Sequence, residues 1–252
     1  MKALNLASSR PCSHGRCLVL STWQWVVLNS LTIILALIQR VTIPPILERW
    51  GLPSRYIDFI PLGILFELGF MLYLGKKLTG KLTFKKAVLY REPIPWWWYI
   101  AGFVIFLAWG FGAMALLTPV GDYLRETIFA GMPPSNVPID ASLYSQAVLV
   151  VMAIGTLIAK PLAAVVEELY FRGTLMPRME RLGIWAPVLS VVFWACTHVG
   201  QPGDIPGLAL AFLPMAFFTM RKKNVYMITL IHGVSNVFMA IAIVVQVFSG
   251  AS

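Results

Sequence analysis

Val165-Val166-Glu167-Glu168-Leu169-Tyr170-Phe171-Arg172-Gly173 sets two adjacent carboxylates and an arginine inside a long apolar run. Charge at membrane depth is costly and by default marks a functional site. The chain has three histidines: His14 near the start, and His198 and His232 in two later apolar segments. Glu168 and Arg172 are four residues apart with the acid first, the favourable orientation for an ion pair on one helix face. Glu167 is rotated about 100° from Glu168 on a helix and faces a different partner. Trp194 with His198, and His232 with Asn236, repeat the four-residue spacing. One free carboxylate, two imidazoles and an amide are suited to activating water and stabilising an oxyanion. Taken singly, each pair reads as polar glue between spans; taken together, they favour a site.

The elements that carry these residues belong to a membrane. Of 252 residues, 58% are hydrophobic and 12% charged, against roughly 25% charged in a soluble domain. Several apolar runs exceed the ~18 residues that cross a bilayer core. The expected fold is an all-α polytopic membrane helix bundle of about seven spans, with the active site inside the bundle. The expected organisation is a cytoplasmic tail (1–17), three N-terminal spans (18–142) and a site-bearing core (143–248). The spans are placed at 18–38, 56–74, 96–120, 143–178, 185–199, 208–220 and 225–248. Pro44 and Pro45 fall in the loop after the first, and Pro161 predicts a break or kink within the fourth. The Trp96-Trp97-Trp98 run reads as an interfacial belt. Asp58 is expected at an interface, and Glu67 is expected to face the bundle interior without a role in chemistry.

Net charge is +9, which could suggest nucleic acid. The basic residues lie in short loops instead, as anionic lipid and the positive-inside rule require. With the N-terminus inside, segments 1–17, 75–95, 172–183 and 221–223 hold 15 of the 20 lysines and arginines. On continuous helices, Glu167 lies about 16 Å from Arg178, His198 about 22 Å from Gly183 and His232 about 14 Å from Lys223. All three then share one depth in the cytoplasmic-to-middle part of the bilayer. Cys12, His14 and Cys17 lack a fourth ligand and read as part of an unstructured tail. Cys196 points about 200° away from His198 on a helix and reads as a packing residue. The three cysteines supply no disulfide framework.

The combination Glu167-Glu168-x-x-x-Arg172, Trp194-x-x-x-His198 and His232-x-x-x-Asn236, in that order over roughly residues 140–245, resembles the CPBP (CAAX protease and bacteriocin-processing, or Abi) intramembrane proteases. At Trp194 the family pattern usually has phenylalanine. The resemblance implies hydrolysis of a peptide bond within the membrane. Glu167 with His198 would activate water, His232 and Asn236 would stabilise the oxyanion, and Glu168 with Arg172 would support the site. It also implies a membrane-anchored protein or peptide as substrate: a prenylated CAAX protein, a bacteriocin leader or a C-terminal anchor. The expected location is a bacterial-type cytoplasmic membrane.

Glu167, His198 and His232 could hold zinc with one position open for water. No HExxH is present and Asn236 suits an oxyanion donor better, so no cofactor is expected. Two other classes remain open: a non-catalytic partner-binding relative of bacteriocin-immunity type, and a transporter. The first half has no counterpart of the Glu167 segment, against the internal repeats of many transporters.

Overall fold

The computed structural model describes residues 21–53, 62–130 and 140–249. Cys12, His14, Cys17 and Asp58 lie outside the described residues. Among the described residues there is no β-strand, and the one extended pairing is an isolated antiparallel bridge between Arg91 and Asn224. Seven α-helices follow in order: α1 (Thr22–Arg49), α2 (Leu62–Thr79), α3 (Trp97–Thr127), α4 (Gln146–Glu168), α5 (Trp185–Cys196), α6 (Ile205–Lys222) and α7 (Tyr226–Ser249). Each of the seven expected apolar segments becomes one of them.

Among the described residues, five helical stretches are long and apolar enough to cross a membrane. The two exceptions have plain causes: α2 carries Glu67, Lys76 and Lys77, and α5 has 12 residues, about 18 Å of rise against a core of about 30 Å. The protein is an integral membrane helix bundle. α4 packs on α7, α3 on α6 and α7, α5 on α6, and α1 on α2. Ile105, Phe111 and Leu116 of α3 and Ile154, Ile158 and Leu162 of α4 are exposed, as suits side chains that face lipid.

Prolines behave differently from expectation. α1 opens on a reciprocal cap between Ser21 and Gln24 and runs through Pro44 and Pro45 to Arg49, where a loop was expected. α4 likewise stays α-helical through Pro161. Neighbouring helices and polar side chains can take over the backbone groups that a proline frees in a membrane bundle.

The departure from α-geometry comes instead directly after the paired carboxylates. Leu169–Leu175 forms π-helical turns and Met176–Leu182 a 3-10 helix. Wide turns of this kind concentrate at functional sites. Their carbonyls are met from outside the helix. The Leu89 N–H donates to Gly173 O at 2.8 Å, the Ser190 hydroxyl to Phe171 O at 3.3 Å, and the Arg178 guanidinium to Thr174 O.

Leu89 belongs to the basic connection between α2 and α3, which is a strap held on both sides rather than a simple loop. Arg178 donates to Ala87 O at 2.8 Å and to Lys86 O at 3.0 Å. The Val225 N–H donates to Tyr90 O at 3.0 Å and the Glu92 N–H to Lys223 O at 2.8 Å. The Tyr90 hydroxyl donates to Glu180 Oε1 at 2.7 Å, and burial together with that carboxylate pushes the Tyr90 phenol well above its usual range. Gly75 is required for the strap to close, because a Cβ there would lie 1.6 Å from Thr83 O. The strap gathers the basic segments 76–91, 178–181 and 221–223 at one end of the bundle. Arg172 and Arg178, counted among the loop charges from sequence, are buried at 0% and 5% exposure, so they are structural cations within the bundle.

Candidate active site

The site is built where the end of α4, the turn after α5 and the first half of α7 meet. α4 delivers Glu167 and Glu168 on its last turn, and the π-helical turns deliver Arg172. Glu168 and Arg172 are both 0% exposed and pair at 3.3 Å, as their spacing predicts. Glu168 Oε1 also meets His232 Nδ1 at 2.9 Å, a partner that spacing alone could not reveal. One carboxylate thus joins a guanidinium from its own chain segment to an imidazole from α7. The Arg172 charge also lies 4.7 Å from the centre of the Trp194 ring and 5.7 Å from that of Phe212, where the ring faces attract a cation.

Glu167 occupies different surroundings. It is half-buried, and its Oε2 accepts a hydrogen bond from the Trp194 indole N–H at 2.7 Å. His198 does not lie on α5 as expected: the helix ends at Cys196, Thr197 is its cap, and the His198 N–H closes a turn on Ala195 O at 3.0 Å. His198 still meets Trp194, ring to ring at 4.7 Å, with its Nδ1 3.3 Å from Trp194 O. Continuous helices were assumed in comparing depths, and neither the Glu167–Arg178 nor the Gly183–His198 stretch is continuous α-helix. Glu167 and His198 nevertheless line one cavity of about 220 Å³, together with Glu67, Lys160, Thr32 and Gln39 among others.

Trp194 is the hub. It is fully buried, touches His198 on one side and His232 at 5.4 Å on another, holds Glu167 and covers Arg172. Phe212 of α6 closes the cluster at 4.2 Å from Trp194 and 4.8 Å from His232. Phe212 had no sequence signal beyond its apolar helix. Asn236 lies on α7 four residues after His232, and its Nδ2 donates to Lys160 O at 3.0 Å, tying α7 to α4; neither Asn236 nor His232 is among the residues that line the cavity of Glu167 and His198. An amide nitrogen carries two protons, so that bond engages one of them.

Residues 143–238 match the model of the family described as Type II CAAX prenyl endopeptidase Rce1-like. The match covers 96 of the chain's 252 residues. No curated protein and no solved structure matches the chain. The matched segment contains all six residues singled out from sequence: Glu167, Glu168, Arg172, His198, His232 and Asn236. α1 to α3, including Glu67, lie outside it. Where phenylalanine is usual in the CPBP pattern, this Rce1-like segment has Trp194, and the extra indole N–H is the group that holds Glu167.

Among the described residues, no group of three or more histidines, cysteines and acids is placed to hold a metal. Glu167 and His198 share the cavity, and the His232 Nδ1 meets Glu168, which leaves its Nε2 for another partner. Cys196 is half-buried on α5 and forms no disulfide.

Proposed function

We propose that the protein is an endopeptidase that hydrolyses a peptide bond of a membrane-anchored substrate, with water activated by Glu167 and His198. The observation that carries this reading is the single cavity shared by Glu167 and His198 inside an Rce1-like membrane bundle. Water bound there gives a proton to Glu167 as its oxygen adds to the scissile carbonyl carbon. His232 and Asn236 stabilise the resulting oxyanion. When the intermediate collapses, the C–N bond breaks and the amine leaves with the proton held by Glu167. Glu168 positions His232 through Nδ1, which directs Nε2 toward the reacting group, and Arg172 neutralises Glu168. Buried donors aimed at developing charge act strongly in such a site because water is excluded.

The substrate is a prenylated CAAX-type protein or a protein with a C-terminal membrane anchor. The reaction is of the glutamate type without a metal, a reading supported by the lack of an HExxH and by Asn236, which suits an oxyanion donor better than a zinc ligand. The N-terminus lies inside a bacterial-type cytoplasmic membrane, a reading supported by the strap that collects the basic segments at one end.

The test is cleavage of membrane-anchored peptides, farnesylated and not, by the full chain in reconstituted bilayers. The expected result is cleavage that is lost in Glu167→Ala and unaffected by a zinc chelator. Full activity in Glu167→Ala would sink the assignment of the base. Loss of wild-type activity with the chelator, restored by added zinc, would overturn the metal-free mechanism.

A further inference from the structure

The cavity that holds Glu167 and His198 is not made by the Rce1-like segment alone. α1 contributes Thr32, Ala36 and Gln39 to its wall, and α2 contributes Gly63, Ile64 and Glu67. Glu67 is 2% exposed, and its Oε2 is buried with no hydrogen-bond partner.

The other polar side chains on that wall are engaged. Thr32 donates to Asn29 O at 2.7 Å, Gln39 Oε1 accepts from the Leu62 N–H at 2.8 Å, Thr197 donates to Trp194 O at 2.7 Å, and Glu167 accepts from Trp194. Lys160 also has an interaction within the protein. A buried carboxyl without a partner is disfavoured, and an ionisable group inside a membrane bundle is a functional site by default. Glu67 therefore stands ready for a donor that comes from outside the protein.

We propose that Glu67 is a substrate-binding residue, whose carboxyl group accepts a hydrogen bond from a main-chain N–H of the peptide that enters the cavity. This rests on the endopeptidase reading and deepens it. A main-chain N–H is the fitting donor because every peptide carries it. A substrate cation would have to be desolvated on a wall that already holds Lys160. The small residues Ala36, Gly63, Ala159 and Ala163 on the same wall leave room for a backbone to approach. The N-terminal helices thereby supply a specificity element to the protease domain.

The experiment is a double-mutant cycle between protein and peptide, with the full chain in lipid nanodiscs. The probe is one farnesylated CAAX-type peptide N-methylated at successive positions near the scissile bond. Binding is measured on the Glu167→Ala background by fluorescence anisotropy, and cleavage on the wild-type background. Methylation at one position is expected to weaken binding about three- to tenfold, as for loss of a hydrogen bond. In Glu67→Leu that same methylation should cost less than twofold, and KM should rise while kcat changes little. Glu67→Met, which is of similar length and has no oxygen acceptor, serves for the same cycle where Glu67→Leu does not fold. Methylation effects that are identical with and without Glu67, while cleavage still requires Glu167, would overturn this inference alone. Coupled binding without cleavage by the wild type would support it and overturn the endopeptidase reading. Failure of the peptide to bind any form would overturn the inference for this substrate class.

Discussion

Glu167 and Glu168 are neighbours in sequence and opposites in surroundings. Glu168 is fully buried between Arg172 and His232, where its charge is matched by a guanidinium and its geometry by an imidazole. Glu167 is half-buried, opens on a cavity and has the Trp194 N–H as its hydrogen-bond partner. One carboxylate is locked into the structure, and the other is held by a single bond and left accessible. A helix turns about 100° per residue, so adjacent positions meet different elements, and two identical side chains acquire different tasks. Separating paired acids by environment is how one site accommodates both a support and a base.

Substitutions can break this comparison in order of expected size. Glu167→Ala should lower peptide cleavage by about a thousandfold, the scale of general-base catalysis, with thermal unfolding in detergent nearly unchanged. A large fall in melting temperature would show that Glu167 is structural after all. Glu168→Ala should do the reverse first. It strands the buried Arg172 charge, so the bundle should lose about 3 kcal/mol or more of stability, measured by the same unfolding assay. If Glu168→Ala melts like wild type, the locked-carboxylate half of the contrast is wrong.

Trp194→Phe sharpens the difference, because it keeps a ring between the two histidines while removing the donor to Glu167. The expected result is a fall in kcat of about tenfold, the scale of one hydrogen bond to a charged group, with KM little affected. An unchanged kcat would mean that the indole N–H is incidental and that packing alone accounts for Trp194. Tyr90→Phe is the smallest change and tests the strap rather than the site. Loss of the bond to Glu180 should cost about 1 kcal/mol, visible in unfolding and absent from kcat. A drop in kcat would tie the strap to the chemistry.

Much of this was legible in sequence because the membrane makes polar residues conspicuous. Glu167, Glu168, Arg172, His198 and His232 stand out as charges or imidazoles in apolar runs, and the Glu168–Arg172 pair follows from its spacing. Glu67 also stands out, and its helix and inward-facing side are legible, but not the group it meets. Its position on the same cavity as Glu167 depends on how α2 packs beside α4. The expected break at Pro161 was misplaced for a related reason. A proline's effect depends on what neighbours supply to the freed backbone groups, and the π-helical turns after Glu168 are stabilised by Leu89 and Ser190 from distant segments. The ordered strap gave little local signal, since its bonds run to Gly173, Arg178, Lys223 and Val225.

By itself the sequence determined that this is a helical membrane protein, where its helices lie and which residues could do chemistry. Those properties come from hydropathy and short-range spacing, which act over single helices. Only the tertiary structure decided that His232 belongs to Glu168, that Trp194 holds Glu167, and that His198 sits in a turn beyond α5. It also decided that α1 and α2 close the cavity. Each of these is a contact between helices, set by the joint packing of side chains far apart in the chain, and no local pattern encodes which faces will meet.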